Sequence, residues 1–344
     1  MTMKEPNILQ RGIDLLAENN LDEAEAFFSG FIGSDADTAA SALTYLGAAA
    51  LCRDDTNAAF SFGRRARRLA PGSPDASFLT ALAYKALGDN DNALKWCRKT
   101  LDLDYNYFEG HRLMADISMP GPNYHEVLSY VQGYLLPDNY LEVGVRFGDS
   151  IELVREGTKA FGIDPEPEIS RPLKSNIKIF EMTSDDFFSS GTLEKDLDGK
   201  ALQLAFIDGM HSFEFAFRDF INIESSSDRQ TVVMIHDCYP LDEITSLSER
   251  MTLFWAGDIW KIIVCLKKYR PDLKINVIKT YPTGIGVVTG LNPLNKVLQE
   301  NYEKIVSEFE DFDFNYLSRK KDQKLNAVDN SWDMIKDLLD ARLL

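Results

Sequence analysis

The chain has 344 residues, with 37 Lys and Arg against 54 Asp and Glu, and a formal net charge of −17. Its length exceeds the roughly 100–200 residues of one domain, so two domains are expected, and 44% hydrophobic with 11% aromatic content excludes wholesale disorder. The acidity repels phosphate and so argues against nucleic acid and anionic membrane as partners, and no run reaches the roughly 18 apolar residues of a membrane helix. The opening MTMKEPNILQ lacks the apolar core of a signal peptide, and Cys52, Cys97, Cys238 and Cys265 show no metal-like spacing. A cytoplasmic protein with free thiols is the expectation.

The first third repeats itself. LDEAEAFFSGF, DTNAAFSFGRRARRLAP and DNDNALKWCRKTLDLDY align on Ala24, Ala59 and Ala93, at spacings of 35 and 34 residues. Upstream of these alanines, at a constant distance, lie the small residues Gly12, Gly47 and Ala81; downstream lie Ala36, Pro71 and Tyr105, where a helix should stop. Small residues at both places let antiparallel helices approach closely. The pattern resembles the tetratricopeptide repeat over residues 5–105, with YFEGHRLMADIS as a closing helix. Such stacked helix pairs imply a groove for a protein partner, or else a spacer or dimerisation module. Arg64, Arg65, Arg67 and Arg68 fan over more than half of a helix circumference, which favours a solvated face over a single acidic docking site.

MPGPN (119–123) ends the repeat pattern. YHEVLSYVQGYL then reads as a helix, and short apolar strands alternate with helical stretches. The strands are expected at 139–145, 159–164, 176–182, 202–208 and 231–237, with a closing pair at 273–281 and 284–290. Continuous apolar strands joined by helices indicate a parallel sheet covered on both faces. The last pair is joined by too short a turn to be parallel. Ligands of such sheets sit at the carboxyl ends of the strands.

The first strand runs into Glu142, Gly144, Arg146, Gly148, Asp149 and Ser150. The two glycines permit a tight turn, and a helix starting near Asp149 would aim its N–H groups at a ligand. Asp164 ends the next strand, where an acidic side chain can accept hydrogen bonds from both ribose hydroxyls of a nucleoside. Arg146 stands where a dinucleotide fold has its central glycine, so the full fingerprint of an NAD site is absent.

YLEVGVRFGDS, FGIDPEP, FIDGMHSFEFAFRDF and MIHDCYP, in this order, resemble class I S-adenosylmethionine-dependent methyltransferases, in particular a subgroup carrying IDG-x-H-S and HD-x-x-P segments. The resemblance spans residues 124–292. It implies an α/β Rossmann-like seven-stranded methyltransferase sheet, preceded here by the all-α tetratricopeptide-type repeat domain. It further implies that Glu142, Gly144 and Gly148 surround the methionine part of S-adenosyl-L-methionine, that Asp164 holds the ribose, and that Ser184 or Asp185 lies near the adenine, with Arg146, Ser150 and Asp208 also expected at the cofactor.

Asp208 and His211 follow the fourth strand, and His236 and Asp237 end the fifth, so adjacent strands bring all four to one edge. Two readings compete. Asp208 and Asp237 ligate a Mg²⁺-like ion, as in related metal-dependent O-methyltransferases, although His236 takes a place where several of those have another acid. Alternatively His211 is a general base, with Asp208 and His236 beside it, that removes the acceptor's proton. Bracing of the loop is the purely structural alternative.

Leu241–Trp260 would supply a lid or an acceptor-pocket wall through Met251, Phe254 and Trp255, while Trp260, Ile263 and Leu266 read as core. The expected organisation is a repeat domain at 1–118, a methyltransferase domain at 119–292 and a charged helical extension at 293–344 that packs on the catalytic domain or dimerises. The expected activity is methylation of an oxygen on a small molecule or sugar. Its rivals are a protein methyltransferase whose repeats present the substrate, and a non-catalytic scaffold. No nucleic acid or membrane partner is expected.

Overall fold

A computed structural model describes residues 8–343, which divide into two compact units, the first ending at Ile117 and the second beginning at Ser118. The first unit holds α1 (Gln10–Ala17), α2 (Leu21–Ser29), α3 (Ala36–Cys52), α4 (Thr56–Leu69), α5 (Pro74–Ala86), α6 (Asn90–Leu103) and α7 (Phe108–Ser118), whose last residue opens the second unit. Ala24, Ala59 and Ala93 fall in α2, α4 and α6 and are fully buried. Gly12 and Gly47 fall in α1 and α3. A Cβ on Gly47 would lie 2.3 Å from a Leu79 methyl, and one on Gly12 2.5 Å from the Phe28 ring, so the repeat demands these small residues for helix contact. Asp35, Asp55, Ser73 and Asp89 cap successive helices by accepting backbone N–H bonds of 2.9–3.2 Å. The second helices end at Ser29, Leu69 and Leu103, ahead of the expected stops; Ala36 is the first residue of α3. Arg64, Arg65 and Arg68 are exposed, whereas Arg67 lies over the Trp96 ring at 4.1 Å and donates to Thr80.

The second unit begins with α8 (Tyr124–Leu135), opened by a reciprocal capping box between Asn123 and Glu126. In chain order there follow β1 (Asn139–Val143), β2 (Lys159–Ile163), β3 (Ile177–Phe180), α9 (Ser184–Ser189), α10 (Thr192–Leu197), β4 (Leu202–Ile207), α11 (Phe213–Ser225), β5 (Ser227–His236), α12 (Trp260–Tyr269), β6 (Lys274–Ile278) and β7 (Ile285–Thr289). The tail adds α13 (Val297–Glu300), α14 (Tyr302–Glu310), α15 (Phe314–Ser318), α16 (Lys321–Leu325), β8 (Ala327–Val328) and α17 (Trp332–Asp340). The sheet order is β3-β2-β1-β4-β5-β7-β6-β8. β1 to β5 pair in parallel, and β7 runs antiparallel between β5 and β6. The all-α repeat unit is thus followed by the expected seven strands and one more.

Two details depart from the sequence reading. No helix follows the glycine turn: between Gly148 and β2 the chain makes only a 3₁₀ turn, Ile151–Leu153, because the connection is too short for a helix and its return. The helix N-terminus expected at Asp149 is therefore absent. The tail is not wholly helical either, since Ala327 and Val328 pair in parallel with Val277 and Ile278. The side chains of Ile335 and Leu339 enter the same core cluster as Val127, Tyr140, Leu204 and Val232, so the tail is built into this unit. No helix among the described residues is long and apolar enough to cross a membrane.

Candidate active site

A cleft of about 940 Å³ opens at the carboxyl ends of β1, β2, β3, β4 and β5, within the size range of small-molecule sites. Its floor is the turn after β1. Gly144 has φ +89°, and a Cβ there would stand 2.0 Å from the Asp208 carbonyl oxygen, so the ends of β1 and β4 meet only around a glycine. Asp164 organises this turn. Its Oδ2 accepts from the amides of Val145 (3.0 Å) and Arg146 (2.8 Å), and its Oδ1 accepts from Glu166 N–H (2.8 Å). The acid expected to hold a ribose therefore also shapes the loop beside it.

Gly144, Arg146, Ser150, Asp164, Ser184, Asp185 and Asp208 all line the cleft, whereas Glu142 and Gly148 do not. Glu142 is fully buried behind the turn and accepts from Tyr140 OH (2.6 Å) and Ser150 Oγ (2.5 Å). Burial pushes its carboxyl up to about 8, against the two hydrogen bonds. Its reach to the cleft is through Ser150. Asp185 pairs with Arg218 at 2.9 Å, and the buried Asp219 lines the cleft with Ser184.

The far wall carries Asp208 and His211, which follow β4, and His236, which ends β5, while Asp237 is buried outside the cleft lining. His211 Nδ1 lies 2.7 Å from Asp237 Oδ2. His236 Nδ1 lies 3.1 Å from Asp208 Oδ1 and 3.4 Å from Asp237 Oδ2. Thr283, in the β6–β7 turn, donates to the other Asp237 oxygen. Burial opposes charge on both imidazoles, yet the neighbouring carboxylates prevail: His211 is raised above its ordinary 6.5 and His236 well above it. Burial likewise disfavours the Asp237 carboxylate, but the two imidazoles hold it well below the usual range.

This donor set bears on the Mg²⁺ expectation. Mg²⁺ takes oxygen ligands in near-octahedral geometry. Here Asp208 Oδ1 and Asp237 Oδ2 face imidazole nitrogens, Asp237 Oδ1 takes the Thr283 hydroxyl, and the third ligand atom within 4.8 Å of theirs belongs to His211. A mixed nitrogen and oxygen set does not fit Mg²⁺.

Residues 241–260 close the wall. The Trp255 ring stacks on His211, with centroids 5.3 Å apart and planes at 11°, and its Nε1 donates to Leu247 O. Gly257, at φ +65°, abuts the His211 backbone, and Asp258 accepts from Phe213 N–H (2.7 Å) at the start of α11. Trp260 is buried at the start of α12, and Ile263 and Leu266 are core, as expected. Phe254 is buried too, while Arg250 and Leu253 line the cleft with Trp255.

The sequence reading missed Tyr124, His125, Asp219 and Gly257. The Tyr124 ring stands 4.5 Å from that of His236, and His125 lines the cleft beside it. An Asn-x-x-Glu box that begins at the Asn of MPGPN marks the start of α8, but nothing local says that this start abuts the ends of β4 and β5.

No curated protein matches the chain. Among solved structures, the crystal structure of MamA is 23% identical over 32% of this chain and 64% of that one, with a TM-score of 0.28. A mutant O-GlcNAc transferase of Thermobaculum terrenum is 15% identical over 58% of this chain and 44% of that one, with a TM-score of 0.30. The chain thus spans less than two thirds of either neighbour. Residues 141–238, from β1 to the residue after Asp237, match the model of a family described as a methyltransferase domain.

Proposed function

We propose that the protein methylates an oxygen of a small molecule or sugar with S-adenosyl-L-methionine as donor. One observation carries this reading: His211 is ion-paired with Asp237 and stacked on Trp255 in the wall of the cleft whose floor is the Gly144 turn. Asp164, Glu166, Asp185 and Asp208 give that cleft an acidic lining, suited to a sulfonium cation. Gly144, Ser150 and Asp164 would hold the methionine and ribose parts, with Ser184 and Asp185 toward the adenine. The cofactor, when bound, supplies an electrophilic methyl group.

The chain's own task is to align an acceptor hydroxyl and remove its proton. Asp237 engages His211 Nδ1, which leaves Nε2 to take that proton, and the Asp237 carboxylate stabilises the imidazolium that results. Trp255 fixes the ring plane and offers an apolar wall to the acceptor. The repeat unit serves partner docking or dimerisation, apart from the chemistry.

Calorimetry with S-adenosylhomocysteine tests the cofactor, and methyl-labelled donor with a panel of hydroxylated small molecules and sugars tests the acceptor. The expected result is binding, and a labelled product that H211A abolishes. Absence of binding would remove the reading. Deleting residues 1–118 should spare small-molecule methylation, whereas loss of activity would favour a protein substrate.

A further inference from the structure

A second, smaller cavity shares Asp208, His211, Asp219 and His236 with the cleft. Asp208, His211, Asp219, His236 and Asp237 line it, and Ile259 contributes to its apolar side. It leaves about 10 Å³ open to the centre of a water-sized sphere, near the lower limit for holding one water molecule.

Asp219 on α11 is 3% exposed, and no protein group reaches its Oδ1. His236 Nε2 is also buried without a protein partner. A buried polar atom left unmatched costs roughly 1–3 kcal/mol, so two of them beside a polar cavity of this size call for a shared partner. Apolar cavities stay dry; this one is walled by three carboxyls and two imidazoles.

We propose that the cavity holds one ordered water that bridges the Asp219 carboxyl to the Asp208–His211–Asp237–His236 cluster, making Asp219 a positioning residue for the proton-accepting site. The proposal rests on the methyltransferase reading only for its catalytic consequence. Burial raises the Asp219 carboxyl to about 7; Asp185 pushes the same way, while Ser184 and Arg218 oppose it. Near neutrality the carboxyl can therefore either donate to the water or accept from it. Through the water, Asp219 biases where the cluster's imidazoles carry hydrogen.

Two measurements on the full chain decide the matter without turnover. The first is a high-resolution crystal structure of the wild type. The expected density is one water within hydrogen-bonding distance of Asp219 and of at least one cluster residue; a dry cavity, or a water out of reach of Asp219, overturns the proposal. The second is the imidazole ¹⁵N spectrum of His211 and His236 at one fixed pH. Asp219→Leu should displace the water and shift these resonances, whereas Asp219→Asn, which can still bind it, should leave them near their wild-type positions. Unchanged resonances in Asp219→Leu would overturn the proposal, and if that variant fails to fold the wild-type density decides alone. S-adenosylhomocysteine binding, measured separately, keeps failure of this inference distinct from failure of the methyltransferase reading.

Discussion

Gly257 lies against His211 so closely that a Cβ on the glycine would stand 1.7 Å from the His211 carbonyl oxygen. His211 itself has φ +50°, a left-handed conformation that a non-glycine residue adopts at a cost. The loop that carries Trp255 and Gly257 therefore fixes both the ring and the backbone of the candidate base. Gly257→Ala adds backbone strain at φ +65° to a clash with a carbonyl that cannot rotate away. Its expected cost is roughly 2–4 kcal/mol of stability, read by chemical denaturation, together with displacement of His211 and loss of methyl transfer.

Asp164 ties three backbone amides of the floor into one carboxylate. Hydrogen bonds to a charged acceptor contribute roughly 1.5–3 kcal/mol each, so removing the carboxylate loosens the turn beside the proposed ribose site. Asp164→Ala should weaken S-adenosylhomocysteine binding by tenfold or more in calorimetry, on the scale of about 1.4 kcal/mol per decade. Asp164→Asn keeps one acceptor oxygen and should fall between that variant and the wild type. Wild-type affinity in Asp164→Ala would dissociate this strand end from the cofactor.

Glu142 yields a prediction of the opposite kind, about stability and pH. Its folded-state value of about 8 lies above its ordinary 4.5, so the native state binds the proton more tightly than the unfolded chain. The stabilisation is complete below about 4.5 and is lost as pH rises through 8, by roughly 5 kcal/mol as an upper bound. Glu142→Gln mimics the protonated form. It should match the wild type near pH 5 and exceed it in denaturation midpoint near pH 9; parallel curves for the two proteins would refute a buried protonated Glu142.

Much of the architecture was legible because it is local. Continuous apolar runs announced strands at 139–145, 202–208 and 231–237, and these became β1, β4 and β5 with ends shifted by a few residues. The alanines at 24, 59 and 93 announced helix contacts, and all three are fully buried. What stayed hidden depends on distant partners. Two residues of β8 show no alternation to read, and only their pairing with Val277 and Ile278 makes them a strand. An acidic residue after β2 looks the same in sequence whether it faces a sugar or the amides of its own loop. The amide contacts of Asp164 depend on the path of the chain between Gly144 and Gly148, which no local pattern reveals. Likewise Glu142 reads as a cleft residue until Tyr140 and Ser150 are seen to enclose it.

The tail shows the same dependence and can be tested. Asn330 donates to the carbonyls of Pro120 (2.9 Å) and Pro122 (3.1 Å), and Gly121, at φ +102°, leaves room for its side-chain oxygen, which a Cβ would meet at 2.8 Å. This clamp sits just before Tyr124 and His125. Elsewhere in the tail, Lys321 donates to Pro240 O (2.8 Å) and lies over the Tyr239 ring, whose hydroxyl bonds to Asp322. Asn330→Ala should cost about 1–2 kcal/mol, read as a lowered denaturation midpoint. Removal of residues 293–344 should leave an insoluble or unfolded second unit, since Ile335 and Leu339 leave its core.

The pairing of His211 with Asp237 sets the pH dependence of the proposed reaction. To accept a proton His211 must be neutral, and despite burial the Asp237 carboxylate holds its value above 6.5. Turnover should therefore rise with pH along an acid limb whose midpoint lies above 6.5. Asp237→Asn removes the charge that favours the imidazolium, so burial then dominates and the midpoint moves to lower pH. The same substitution withdraws the carboxylate that stabilises the imidazolium formed in the reaction, so the plateau rate should fall by roughly 10²-fold or more while the acid limb shifts. An unchanged limb in Asp237→Asn would mean that His211 is not the group being titrated, and a limb that moves with the plateau intact would reduce Asp237 to an orienting role.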